Sequence, residues 1–333
     1  MIDTAERARK AQDRSAGSVL EASAVELTIG DQRVLEGVDL QIESGEIVVL
    51  MGPNGAGKSV FLSCCAGTLR ADGGEIEFFD RYAPRAARGL FSVAIQGDTA
   101  DPELTGAENC RFFEQLHPAG TDEWQTLAER FELTEDMDRT VGAYSGGMAR
   151  KVELASALSA DVPLFLLDEP AAALDLSMLR VLHDELLRRR DEEGASVLLT
   201  SHTPLDAQIA DRLVFLRNGR VYADGPPEGL LDELPPVLRV RGAVPDDEQF
   251  VGNRAFGRGD EVRGFLEQET DAEAIEAELP DDALVEIDPP SFTDLFNYYA
   301  YLAGEESQQS REATTTRSPE STDGTAGPVG SEQ

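Results

Sequence analysis

The chain has 333 residues, enough for one large domain and a smaller one, and 41% of them are hydrophobic, so a full core can be buried. Acidic residues number 64 against 29 basic ones, a formal net charge of -35, and only three of the basic ones are lysine. Such a surface excludes nucleic acid as an expected partner, since phosphate recognition needs a basic footprint, and no run of about 18 apolar residues is present to cross a membrane.

The acidic residues are spread through every segment rather than blocked into one tail. That distribution reads as a solubility adaptation of the whole surface more than as a dedicated acidic interface. With so little lysine, the composition resembles that of proteins from salt-loving organisms, where molar salt shortens electrostatic reach to about 3 Å. Cys64, Cys65 and Cys110 make no metal-ligand spacing and read as reduced, core-packing thiols of a cytosolic protein.

In chain order, residues 1–18 are polar, lack an apolar signal region and are expected to be flexible. Val25 to Ile29 and the alternating Val38 to Ile42 predict half-buried strands. EIVVLM, Glu46 to Met51, is a short continuous apolar run of the kind a buried parallel strand shows. It leads into a glycine-rich loop, after which SVFLSCCAGTL predicts a helix; Gly74 to Phe79 and Leu90 to Gln96 predict further strands. From about 98 to 160 the pattern turns helical, with Phe112, Phe113 and Leu116, then Leu127 and Phe131, at helical spacing, which predicts an inserted helical subdomain.

Val162 to Leu167 and Ser196 to Ser201 are again buried strands, joined by a helix over LSMLRVLHDELLRRRDEE in a βαβ unit. RLVFLRNGRVYADG is a hairpin turning at Asn218-Gly219. The main domain is expected over 19–231. A small α+β domain follows over 232–303, with VLRVRG, EVRGFLE and ALVEID as strands and DAEAIEAEL as a helix. Residues 304–333 carry almost no apolar side chains and are expected to be disordered.

Three motifs carry chemistry. Gly52-Pro53-Asn54-Gly55-Ala56-Gly57-Lys58-Ser59-Val60 fits the P-loop pattern, between a predicted strand and a predicted helix. Its glycines let backbone N–H groups curl around phosphates at a helix N-terminus; Lys58 is placed for the β- and γ-phosphates and the Ser59 hydroxyl for magnesium. The motif predicts binding of ATP with Mg2+. Asp168-Glu169 ends the strand VPLFLL, where the first carboxylate suits the metal, through water, and the second suits a general base on an attacking water. Ser145-Gly146-Gly147 opens a predicted helix, and by itself is a helix N-cap and nothing more.

Placed between the P-loop and the Asp-Glu strand, that tripeptide resembles the signature motif of ATP-binding-cassette (ABC) ATPases. The resemblance covers residues 25 to 230 with its elements in the family's order. It implies a P-loop NTPase cassette of α/β class: a mixed core sheet, an antiparallel β subdomain and the inserted helices. It also implies that Gln96 is the glutamine that contacts magnesium, that His202 is the histidine that contacts the γ-phosphate, and that Asp175 closes the D-loop after Ala171 to Ala173. Lys58, Glu169 and His202 are then the catalytic set. Departures are Ile29, where the family usually stacks an aromatic residue on adenine, and Tyr144 and Met148 in the signature. The Ser-Gly-Gly-Met variant and the ending VEIDPPSFTDLFNYYAYL resemble the ATPases of ABC-2 type exporters.

The resemblance further implies two cassettes head to tail, Gly52–Ser59 of one copy meeting Ser145–Gly147 of the other. A transmembrane permease would be the second partner, with this subunit peripheral on the cytoplasmic face and not itself inserted. A soluble ABC ATPase in an assembly or regulatory role is the alternative.

Overall fold

A computed structural model describes residues 17–97, 99–258 and 260–303. The segments expected to be flexible at the start and disordered at the end lie, apart from Gly17 and Ser18, outside the described residues. The chain enters on strand β1 (Ser18–Ile29), which pairs antiparallel with β2 (Gln32–Glu43). β1 starts well before the apolar Val25 because Leu20 and Ala22 are buried while Glu21 and Ser23 point to water, the period of two that a strand imposes.

Strand β3 (Ile47–Met51) is buried along its whole length. Ile47, Val49 and Met51 face one apolar core; Val48 and Leu50 face the other. It runs into the glycine-rich loop and helix α1 (Lys58–Cys65), and β4 (Gly73–Phe78) then returns to β1 to complete the three-stranded sheet β2-β1-β4. After β5 (Phe91–Ala94) come α2 (Gly106–Leu116), α3 (Trp124–Arg130) and α4 (Gly146–Leu158). β6 (Leu164–Asp168), α5 (Leu176–Glu193), β7 (Ser196–Ser201), β8 (Arg212–Arg217) and β9 (Arg220–Gly225) complete a six-stranded sheet in the order β5-β6-β7-β3-β8-β9. The first five are parallel and β9 is antiparallel, turning at Asn218 and Gly219, both with positive φ, as a type I′ hairpin requires.

Helix α6 (Pro227–Asp232) leads to β10 (Val237–Arg241), β11 (Ala255–Arg258), β12 (Glu261–Phe265), α7 (Asp271–Glu278) and β13 (Leu284–Asp288). The four strands form a separate antiparallel sheet, β11-β12-β10-β13. Ile275 of α7 packs on Leu238 and Val240 in a small core of its own. β11 and α6 escape a reading of the sequence because each is too short to show a period. Helix α8 (Phe292–Asn297), capped reciprocally by Ser291 and Asp294, then brings the chain back onto the first core through a π-helical turn, Tyr298–Leu302.

The three cysteines are free and buried. Burial pushes the Cys64 and Cys110 thiols up to about 11, so they pack as apolar groups.

The inserted helices are tied to the core by ions as well as apolar contacts. Glu185 and Arg189 of α5 are each 1% exposed. Glu185 accepts from Arg188 and Arg189, both at 2.8 Å, and pairs with Arg130 of α3; Glu123, beside α3, pairs with Arg188 at 3.0 Å and Arg189 at 2.8 Å. Burial pushes the Glu185 carboxyl up, but hydrogen bonds from the two arginines outweigh it and hold the group below the usual carboxylate range. Its contribution is therefore present above the unfolded glutamate value of about 4.3 and is lost as pH falls through the lower folded value. Urea unfolding at pH 7 should show Glu185→Ala losing about 1.5–3 kcal/mol, the worth of a hydrogen bond between charged groups, because the buried Arg189 loses Glu185 but keeps Glu123 and Glu193. The gap between the two proteins should narrow on acidification below about pH 4.

Candidate active site

The parallel strands all end at one edge of the sheet, and the predicted functional residues follow those ends. After β3, Gly52 adopts φ 147°, and a Cβ there would stand 2.1 Å from the Leu216 carbonyl oxygen of β8. Gly57, at φ 105°, caps α1. Those two positions force glycine and close the loop tightly enough for its N–H groups to face one point. Asn54 and Gly55 are exposed at the tip, Pro53 is half-buried, Ala56 is buried, and the Ala56 carbonyl accepts from Gly219 N at 3.1 Å. The β8–β9 turn thus braces the loop.

Lys58 is 5% exposed, and its Nζ donates to the Gly52 carbonyl at 2.8 Å and to Pro53 at 3.2 Å. Burial lowers its pKa from the ordinary lysine value, partly offset by the nearby Glu169 and Asp168 carboxylates. Ser59 Oγ donates to Asp168 Oδ1 at 2.9 Å, joining the first turn of α1 to the end of β6. Val60, next in α1, packs against the core beneath.

Glu169 lies between two of the predicted residues. Gln96 Nε2 donates to its Oε2 at 3.1 Å, and His202 Nδ1 lies 3.4 Å from its Oε1. Gln96 does not end its strand as the sequence pattern suggests: β5 stops at Ala94, and Gln96 stands exposed in a bend beyond it. The bend is what lets its amide reach across to Glu169. Glu169 itself has φ 44°, a left-handed conformation that costs a non-glycine residue on the order of 1–3 kcal/mol and persists only where surroundings enforce it.

Two enforcing residues were not evident from the sequence. Thr200, at the end of β7, donates from Oγ1 to Asp168 Oδ1 at 2.6 Å and accepts from Glu169 N at 2.9 Å. Arg150 of α4, 6% exposed, donates to the Asp168 carbonyl at 2.7 Å, the Glu169 carbonyl at 3.1 Å and the Ile95 carbonyl at 3.0 Å, and pairs with Glu153 at 3.0 Å. Glu153 in turn accepts from Thr99 N at 2.7 Å. Thr200 had a weak signal, a polar residue inside a buried apolar strand. Arg150 had none, since an arginine at helical spacing reads equally well as solvated.

The signature tripeptide stands apart from this cluster. Ser145 caps α4, its Oγ accepting from Met148 N at 3.3 Å; Ser145 and Gly146 are exposed and Gly147 is half-buried. A Cβ on Gly147 would sit 2.8 Å from the Ala173 carbonyl, so the signature abuts the loop of Ala171 to Leu174. Asp175 caps α5, accepting from Met178 N at 2.9 Å. Ile29 is 51% exposed at the end of β1. Among the described residues, no hydrogen bond joins Ser145–Gly147 to the P-loop.

The donor set also answers whether a cation fits. Among the described residues, no cluster of three or more His, Cys, Asp or Glu side chains is placed to hold a metal alone. Ser59 and Asp168 offer one hydroxyl and one carboxylate side by side. That suits Mg2+, which keeps several waters and binds through one or two carboxylates together with substrate phosphates.

A braced phosphate loop after β3, with carboxylates at the end of the neighbouring strand system, defines a P-loop nucleotide-hydrolysing cassette. The ABC transporter family profile matches residues 35–172. Nod factor export ATP-binding protein I of Rhizobium etli is 34% identical over 256 residues, covering 74% of this chain and 81% of that one. Daunorubicin resistance ATP-binding protein DrrA2 of Streptomyces coeruleorubidus is 33% identical over 254 residues, covering 72% and 79%. A solved structure described as the ATP-binding subunit of an ABC transporter superposes with a TM-score of 0.59 at 28% identity, over 65% of this chain and 92% of that one. The chain belongs to the ABC transporter family, and it is an ATPase cassette of that family.

Thr200→Val keeps the volume of the residue but leaves the Glu169 N–H without its acceptor. Thermal or urea unfolding should register a loss of about 1–3 kcal/mol, the cost of one buried unsatisfied donor.

Proposed function

We propose that the chain is the ATP-hydrolysing subunit of a membrane exporter, working as two head-to-tail copies on the cytoplasmic face and driving a separate transmembrane permease. The observation that carries this reading is the hydrogen bond from Gln96 to Glu169. Gln96 directly follows Ile95, which lines an open apolar groove of about 630 Å3 walled by Phe91, Phe113, Leu116, His117 and Ala160. Whatever fills the groove presses on the segment that touches Glu169. Leu116 is 66% exposed and Phe112 53%, so one face of α2 is apolar and uncovered within this chain, as a docking helix of a permease would require. No helix among the described residues is long and apolar enough to cross a membrane, which supports a separate spanning partner. The names of the relatives, Nod factor export and daunorubicin resistance, support the outward direction.

In this reading Gly52 to Val60 hold the phosphates of ATP, with Lys58 on the β- and γ-phosphates. Ser59, Asp168 and Gln96 would hold Mg2+, which would supply neutralisation of the phosphate charge. Glu169 takes a proton from the attacking water, and His202, held beside it, hydrogen-bonds the γ-phosphate as charge moves onto the leaving oxygen. Ser145, Gly146 and Gly147 stand at the N-terminus of α4, whose dipole and free N–H groups favour an anion. The exposure of Ser145 and Gly146, with Asp175 beside the adjoining loop, supports service to the nucleotide of the second copy.

Glu169→Gln is expected to lower steady-state phosphate release about 100-fold or more while ATP binding persists, as loss of a general base does; unchanged turnover would show the base to be elsewhere. For the docking groove, Leu116→Asp should leave the melting temperature unchanged and shift the chain from the sedimented membrane fraction of its own cells to the supernatant. Retention on membranes would place the permease contact on another face.

A further inference from the structure

The small C-terminal domain reaches the catalytic edge by a route that the nucleotide chemistry does not use. Between His202 and β8 the chain makes a 3-10 turn, Pro204–Ile209. Helix α8 packs against that turn. Leu295 and Phe296 of α8, 1% and 8% exposed, lie in the same apolar cluster as Ala207 and Ile209 of the turn. α8 is in turn pinned to the C-terminal sheet: Arg263 of β12 donates to Asp294 at 3.1 and 2.9 Å and to Asp288 at 2.7 Å. Behind it, the Tyr299 ring packs on Phe215 of β8, centroids 4.9 Å apart.

The opposite side of the turn carries a buried polar cluster. Asp206, 2% exposed, accepts from Ser201 Oγ at 2.5 Å, and its other oxygen lies 2.7 Å from His183 Nε2 of α5. Ser201 Oγ also accepts from Thr203 N at 3.0 Å. Ser201 and Thr203 flank His202, so both neighbours of that histidine are fastened to Asp206, directly or through Ser201. His202 itself is 53% exposed, in an open pocket that it shares with Ala171, Ala172 and Leu205 of the turn. Its position beside Glu169 is therefore set by the turn, and the turn is held between α5 and α8.

We infer that α8 and Asp206 position His202 for hydrolysis, so that the C-terminal domain is a working part of the catalytic site and not an appendage. Leu295, Phe296 and Asp206 are positioning residues: they act through His202 and touch no substrate. Loosening α8 lets the turn shift, moves the imidazole from Glu169 and slows the chemical step, while the phosphate grip after β3 stays intact. The inference rests on the role of His202 in the proposed function.

The test is a double-mutant cycle on the purified full chain, reading kcat and KM for ATP. Phe296→Ala is expected to lower kcat about fivefold or more with KM within about twofold, and Phe296→Leu to restore most of it. In a His202→Ala background, Phe296→Ala is expected to change kcat by less than about twofold, because the group it positions is already gone. If Phe296→Ala does not fold, Asp206→Asn, which removes one acceptor and no volume, takes its place in the same cycle with the same expectation. Two independent losses that multiply, or a folded Phe296→Ala with unchanged kcat, would overturn the inference and leave the role of His202 standing. A His202→Ala protein with normal kcat would overturn that role, and this inference with it.

Discussion

The constraint from which the molecule follows is that β3, β6 and β7 are buried on both faces. Alternate residues of each strand enter different apolar cores, so each face of the sheet needs its own cover. The antiparallel sheet β2-β1-β4 and α1 supply one side; α4, α5 and the C-terminal helix supply the other. Parallel pairing then sends every strand out at the same edge. Ser59, Asp168, Thr200 and Gln96 meet there because each follows or ends a neighbouring strand, and ligands of open α/β sheets bind at that edge for the same reason.

At that edge, polar groups without water must bond to one another. Asp168 accepts from Ser59 and Thr200, and Glu169 is held in a strained backbone conformation by Thr200 and Arg150. The Glu169 backbone is thus fixed by residues from β7 and α4. Arg150 also binds the Ile95 carbonyl, so α4, the segment before Gln96 and Glu169 form one connected unit. Through that unit the inserted helix α4 is joined directly to the Glu169 backbone and its strained conformation.

The ionic network of Glu123, Arg130, Glu185, Arg188 and Arg189 serves the same joint from the other side. In a chain so rich in carboxylates, arginine forks satisfy several acidic groups at once, which suits arginine better than lysine. The network holds α3 of the insertion to α5, and α5 also carries His183, the partner of Asp206. Insertion and core therefore share one helix.

Much of this was written in the sequence. The uninterrupted apolar run of β3, the glycine spacing after it and the Asp-Glu pair after β6 can be read locally, because a buried strand and a phosphate loop each constrain consecutive residues. The βαβ unit over 164–201 and the Asn218-Gly219 hairpin are legible for the same reason. What only the tertiary structure decided are contacts between residues distant in the chain. Thr200 showed only weakly and Arg150 not at all as supports of Glu169, Gln96 reached it only because β5 ends early, and the apolar face of α2 is left open. Nothing local in Phe296 says that it presses on the turn behind His202. A sequence specifies which groups can react; which backbone holds them in place is settled by packing, and packing pairs residues that no short pattern contains.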